Sequence, residues 1–264
     1  MRAGIKKGLK QALKCLGYDI HRIPRSGNKI EDVTTQSSGL LVEFVGPSGI
    51  GKSTTLSKVS PLLRDRWFFQ EELYYNKSNG LLISNELEEA YKFLAEGKIL
   101  EVMEQKAHTA EKVSRISFML RLLRTDMDLI GQFYPRGFFL DDGICKNFVR
   151  QIVDGLQGNC HGIENLLRNR AYIFLLADSP LTIIENIKKR RNTTPWHFGN
   201  NFPGRSDSEL MEICIQGDIE NREFMSILSC MGCHILKLRA EDDFKVNSSK
   251  IFRFESVLLG LNKK

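Results

Sequence analysis

Leu40-Leu41-Val42-Glu43-Phe44-Val45 runs directly into Gly46-Pro47-Ser48-Gly49-Ile50-Gly51-Lys52-Ser53-Thr54. The first six residues are a short apolar run rich in β-formers, as expected of a buried strand. The next nine fit G-x-x-x-x-G-K-[ST]. That spacing has a physical cause. Glycines let the backbone curl so that successive N–H groups turn inward and cradle phosphate oxygens. A helix expected from Lys52 to about Leu63 aims its positive end at the same anion. Lys52 is then within reach of the β- and γ-phosphates of a nucleoside triphosphate, and the Ser53 hydroxyl is placed to ligate Mg²⁺. Gly46, Pro47, Ser48, Gly49, Ile50, Gly51, Lys52, Ser53 and Thr54 are therefore the expected ATP-binding loop.

Working outward, strands and helices alternate. Arg66-Trp67-Phe68-Phe69 reads as a second strand, followed by Gln70-Glu71-Glu72. Phe138-Phe139-Leu140 reads as a third and ends in Asp141-Asp142-Gly143. An apolar strand ending in Asp is the arrangement in which the acid holds Mg²⁺ or its water, which nominates Asp141 as a metal ligand. Asp142, next along, is placed either to accept the proton of an acceptor hydroxyl or to cap a helix from Ile144. The fourth strand covers Arg170 to Ala177. Ser179-Pro180 then opens a helix as N-cap and first turn, and that helix ends in Lys188-Lys189-Arg190-Arg191. A helix over about 207–230 begins with the capping box Ser206-x-x-Glu209. A fifth strand over 234–238 and a closing helix from Asn247 to Gly260 complete the pattern. Such alternation gives a parallel sheet with right-handed crossovers. The expected architecture is an α/β P-loop NTPase fold, a five-stranded parallel sheet flanked by helices. Between strands two and three, residues 76–132 recur at helical spacing (Leu87, Tyr91, Leu94; Ile116, Met119, Leu120, Leu123) and form a helical insert.

Several protein classes share this loop. A GTPase needs Asn-Lys-x-Asp, and Asn76-Lys77-Ser78-Asn79 fails at its last position. The Leu-Ser-Gly-Gly signature of ABC ATPases is missing. The order of elements over about 40–260, with a basic helix end after the fourth strand, resembles nucleoside and nucleoside-monophosphate kinases, with thymidylate kinase-like proteins nearest. That resemblance implies an ATP- and Mg²⁺-dependent kinase acting on a small-molecule acceptor such as a nucleoside, nucleotide or sugar. It implies that the insert lines the acceptor site and that residues 188–206 form a lid whose Arg190 and Arg191, with Arg205 a further candidate, clamp the transferring phosphoryl group. Arg115, Arg121 and Arg124 are either acceptor contacts or solvated helix charges. Glu71 and Glu72 rival Asp142 as the base. A second reading keeps the nucleotide but not the chemistry: an ATP-binding regulatory or scaffold protein recruited to a membrane. Sulfuryl transfer is a third, disfavoured because Lys52-Ser53 suits Mg-triphosphate better.

The chain has 264 residues, 42% hydrophobic and 27% charged, enough for a sizeable core. Its net charge of +6 is unevenly spread. Residues 1–30 hold eight Lys/Arg against Asp19 alone, leaving 30 basic and 31 acidic side chains in the other 234 residues. A nucleic-acid-binding face on the body is therefore not expected. In the leader, residues 1–23, Ile5, Leu9, Ala12, Leu13 and Leu16 fall on one helical face with Lys6, Lys7, Lys10 and Lys14 opposite. Such a basic amphipathic helix suits an anionic membrane surface. Packing on the body and an organelle presequence are the alternatives. Leu13-Lys14-Cys15-Leu16-Gly17-Tyr18-Asp19-Ile20-His21-Arg22 also resembles leaders of bacterial surface-polysaccharide biosynthesis proteins. Residues 24–39 are breaker-rich and read as a linker, which leaves 40–264 as the kinase-like domain. No apolar run approaches the roughly 18 residues that span a bilayer. The six cysteines without a secretory signal point to the cytoplasm, with a peripheral membrane contact through the leader. Cys230-Met231-Gly232-Cys233-His234 is a lone CxxC at a helix-to-strand junction, where buried thiols suit packing better than zinc.

Overall fold

The computed structural model describes residues 40–69, 83–131, 137–193 and 206–260. The leader, the linker and the side chains of Arg190 and Arg191 lie outside them, as do Glu71, Glu72 and residues 194–205.

Among the described residues, five strands form one sheet: β1 Leu41–Val45, β2 Trp67–Phe69, β3 Gly137–Leu140, β4 Arg170–Leu176 and β5 His234–Arg239. Their order is β2-β3-β1-β4-β5, and every pairing is parallel. This is the P-loop NTPase arrangement: the strand that feeds the glycine loop lies at the centre, beside the strand that ends in Asp141. All residues of β1 and β4 are buried. That follows from helices on both faces, which suit near-continuous apolar strands rather than alternating ones.

The helices are α1 Lys52–Leu63, α2 Asn85–Glu104, α3 Thr109–Gly131, α4 Ile144–Asn147, α5 Val149–Gln157, α6 His161–Arg168, α7 Pro180–Thr193, α8 Asp207–Cys230 and α9 Phe244–Leu258. One face of the sheet packs Leu56, Val59 and Leu63 of α1, Ile183 and Ile187 of α7 and Ile251 of α9 against Val42, Phe44 and Ile173. The other packs Ala90, Tyr91 and Leu94 of α2, Leu123 of α3 and Ile152 of α5 against Val45, Tyr172 and Phe174. α8 serves both clusters, with Leu210 and Cys214 in the first and Phe224, Met225 and Leu228 in the second. At the β2 edge, Trp67 meets Phe139 edge-on at 4.8 Å, and Phe69 stacks on Phe139 at 5.7 Å.

Among the described residues the insert comprises α2 and α3, two long helices where the spacing expects them. The Ser206 capping box forms with Glu209, and the Ser179 hydroxyl accepts from Leu181 N at 3.2 Å. The closing helix starts three residues earlier than expected, because the Asp243 side chain accepts from Lys245 N and caps it. No described helix is long and apolar enough to cross a membrane.

Candidate active site

Three glycines build the loop, and each adopts a φ that side-chain-bearing residues avoid: Gly46 +148°, Gly49 +89° and Gly51 +106°. At Gly46 a Cβ would stand 2.5 Å from the Leu175 carbonyl oxygen; at Gly49 it would stand 2.6 Å from Ile187 Cγ1. The loop therefore lies tight against β4 and α7. At Gly51 a Cβ would meet nothing within 4 Å, so the loop opens there. Gly51 is the N-cap of α1 and offers no side chain to the first-turn N–H groups. The start of a helix is a place where backbone N–H groups suit an anion.

Lys52 is buried and turns back across the loop, donating from Nζ to Gly46 O at 2.7 Å and Pro47 O at 3.0 Å. A buried ammonium needs such partners, and phosphate oxygens are better ones. Ser53 and Thr54 are exposed on the first turn. Because β1 and β3 are parallel neighbours with Glu43 opposite Leu140, the loop and Asp141 leave the same edge of the sheet. Ser53 and Asp141 are hard oxygen donors of the kind Mg²⁺ accepts, so these residues fit that ion.

The loop opens onto a cleft of about 380 Å³, within the size range of small-molecule sites. It is lined by Gly49, Gly51 and Thr55, by Asn186 and Lys189 of α7, and by Phe244 and Asn247. Lys58 Nζ sits 5.4 Å over the Phe244 ring. The turn after β5 is tied to the turn after β4. Glu241 Oε1 accepts from Asp178 N at 2.9 Å, Ala240 N donates to Leu176 O at 2.8 Å, and Arg239 pairs with Asp178. Sequence reasoning passed over this wall. Its signal was Glu241-Asp242-Asp243-Phe244, an acidic turn with one aromatic directly after a strand.

Asp142 is paired with Lys146 across one helical turn. Asp142 does not cap the following helix: the N-cap is Gly143, which has no side-chain bond to give. The cap comes instead from Glu43 on β1, whose Oε1 accepts from Cys145 N at 2.7 Å and Lys146 N at 3.2 Å. Glu43 belongs to a buried ionic cluster. Arg170 Nη1 lies 3.6 Å from its Oε2. The same guanidinium forks onto Asp126, Nη1 to Oδ1 at 2.7 Å and Nη2 to Oδ2 at 2.5 Å, while Tyr91 donates to Asp126 Oδ2 at 2.5 Å. Burial pushes the Glu43 carboxyl up to about 7, with Arg170 pulling the other way. Burial also holds the Tyr91 and Cys145 protons well above their usual range. For Arg170, burial works against the charge, and Asp126 overcomes it and keeps the guanidinium charged.

The insert arginines have local partners among the described residues. Arg115 bonds Gln105 and Glu111, Arg124 pairs with Asp128, and Arg121 lies over the Phe118 ring. Arg190 and Arg191 fall in the last turns of α7. Lys188 there pairs with Asp207 at 2.6 Å, so the two ends of the expected lid segment lie side by side. Cys230 is exposed, and Cys233 donates from Sγ to Leu167 O at 3.7 Å.

No protein-family model matches the chain, and no curated protein does. Among solved structures it is similar to deoxyadenosine kinase from M. mycoides with bound dCTP, at 16% identity and a TM-score of 0.44, over 83% of this chain and 100% of that one. The same enzyme with the products dCMP and dCDP gives 17% and 0.44, over 83% and 100%. With bound dATP it gives 18% and 0.42, over 81% and 98%. Likeness of this degree says nothing about substrate, so the functional reading rests on the loop and the cleft.

Proposed function

We propose that this chain is an ATP- and Mg²⁺-dependent phosphotransferase acting on a small-molecule acceptor. The observation that carries the reading is the glycine loop, curled by three positive φ values, with Lys52 inside it and a nucleotide-sized cleft beyond. The triphosphate lies in the loop, and the base reaches towards Phe244. Lys52 leaves Gly46 O and Pro47 O for the phosphate oxygens. Ser53 and Asp141 hold Mg²⁺, which supplies charge neutralisation when bound.

Phosphoryl transfer asks little covalent chemistry of the protein. The acceptor hydroxyl oxygen attacks the γ-phosphorus, the bond from that phosphorus to the bridging oxygen breaks, and ADP leaves with the electron pair. Asp142 takes the hydroxyl proton, with Lys146 holding its carboxylate in place. Lys52, Arg190 and Arg191 bring positive charge to the transferring group. The chemistry also requires that water be kept out of the site, because water would otherwise accept the phosphoryl group.

The test is a screen of nucleosides, nucleotides and sugars with γ-labelled ATP, with Lys52→Ala and Asp141→Asn as controls. Acceptor-dependent label transfer, lost in both variants, is expected. ATP binding without transfer to any acceptor would leave a nucleotide-binding regulator in place of an enzyme.

A further inference from the structure

Glu43 is fully buried in a strand whose other four residues are apolar, and a buried charge needs a reason. Its carboxylate sits against the turn that carries Asp141 and Asp142. Oε1 receives the first-turn N–H groups of Cys145 and Lys146, the donors that Gly143 leaves unserved. Gly143 has ordinary extended backbone, φ −95° and ψ −173°. Alanine would adopt it freely, yet a Cβ there would overlap the Glu43 carboxylate. The glycine is required by Glu43 and not by the turn. Arg170, gripped by Asp126, stands 3.6 Å behind the other carboxylate oxygen and keeps the Glu43 side chain from swinging away.

We infer that Glu43 is a positioning residue: it supplies from β1 the cap that α4 lacks, and so fixes the Asp141–Gly143 turn at the distance from the glycine loop that a cation on the triphosphate requires. The inference rests on the phosphotransferase reading, and it adds a specific link from a buried strand carboxylate to the metal side of the site. Carboxylates and hydroxyls that ligate metals depend on such outer partners for their orientation.

The experiment is calorimetric titration of the full chain with ATP in EDTA and again with Mg²⁺, alongside thermal melting. The quantity of interest is the gain in ATP affinity that Mg²⁺ confers. Glu43→Leu, which removes the cap, is expected to cut that gain on the order of tenfold, while affinity in EDTA stays within about twofold. Glu43→Gln keeps an acceptor oxygen for both N–H groups and should retain the gain within about twofold. Gly143→Ala, which leaves Glu43 in the chain but sets a Cβ against its carboxylate and so displaces the turn, should lose the gain as Glu43→Leu does, and it serves if the leucine variant fails to fold. A wild-type gain in both Glu43→Leu and Gly143→Ala, with melting alone lowered, would show a purely structural carboxylate and overturn the inference. So would ATP binding by the wild type that Mg²⁺ does not strengthen. Absence of any ATP binding by the wild type would instead sink the phosphotransferase reading, and this inference with it.

Discussion

At the scale of single residues, the site is a set of conformations that only certain side chains permit. Gly49 and Gly51 share a positive φ and differ in surroundings, so alanine separates the two costs. Gly51→Ala has open space and pays only for backbone, about 1–2 kcal/mol. Gly49→Ala also drives a Cβ into Ile187, and overpacking adds about 1–3 kcal/mol. Urea denaturation should rank Gly49→Ala as the worse; equal costs would mean that α7 does not press on the loop.

Glu43 gives a second residue-scale expectation, in pH. Its ordinary value is 4.5 and its folded value about 7. Between these the folded chain holds a proton that the unfolded chain has released. The stability from this group is therefore full below pH 4.5 and is lost as pH rises to about 7, an effect of up to about 3 kcal/mol. Glu43→Gln cannot titrate. Its melting temperature should rise relative to wild type between pH 5 and pH 8, by several degrees for a chain of this size. Parallel curves would contradict the assignment.

At the scale of elements, much was legible. The helix after the loop runs from Lys52 to Leu63, as its sequence indicates, because a glycine stop before it and an apolar period within it are local signals. The same holds for the capping box at Ser206. What escaped was the cluster of Glu43, Asp126, Arg170 and Tyr91. Strands buried on both faces lose the alternation that would mark Glu43 as inward or outward. Asp126 and Arg170 lie in a long amphipathic helix and at a strand start, where charges usually meet water. The partners come from β1, β4, α2 and α3, and no period within one element reveals a pairing between four. The guanidinium forks onto Asp126 inside the core, so Arg170→Met should cost about 3–5 kcal/mol in urea denaturation, as removing one partner of a buried pair does. A cost under about 1 kcal/mol, the range of exposed pairs, would mean water reaches the cluster.

For the whole molecule, a nearly neutral body follows a leader of strongly basic sequence. We propose that residues 1–23 hold the protein at an anionic membrane surface, each lysine contributing on the order of 1 kcal/mol. Vesicles containing anionic lipid should carry the full chain down in sedimentation, and the fourfold variant Lys6→Glu, Lys7→Glu, Lys10→Glu, Lys14→Glu should stay in solution. Equal sedimentation of the two would remove the proposal and leave the kinase reading intact. That reading depends on one physical event, the capture of a triphosphate by the amides that follow β1. Titration of the full chain with Mg·ATP, beside Lys52→Ala, tests it most directly. The expected result is saturable one-to-one binding, with a dissociation constant between roughly 1 μM and 1 mM, weakened on the order of a hundredfold when Lys52 is lost. Absence of binding, or equal binding by the two proteins, would contradict it.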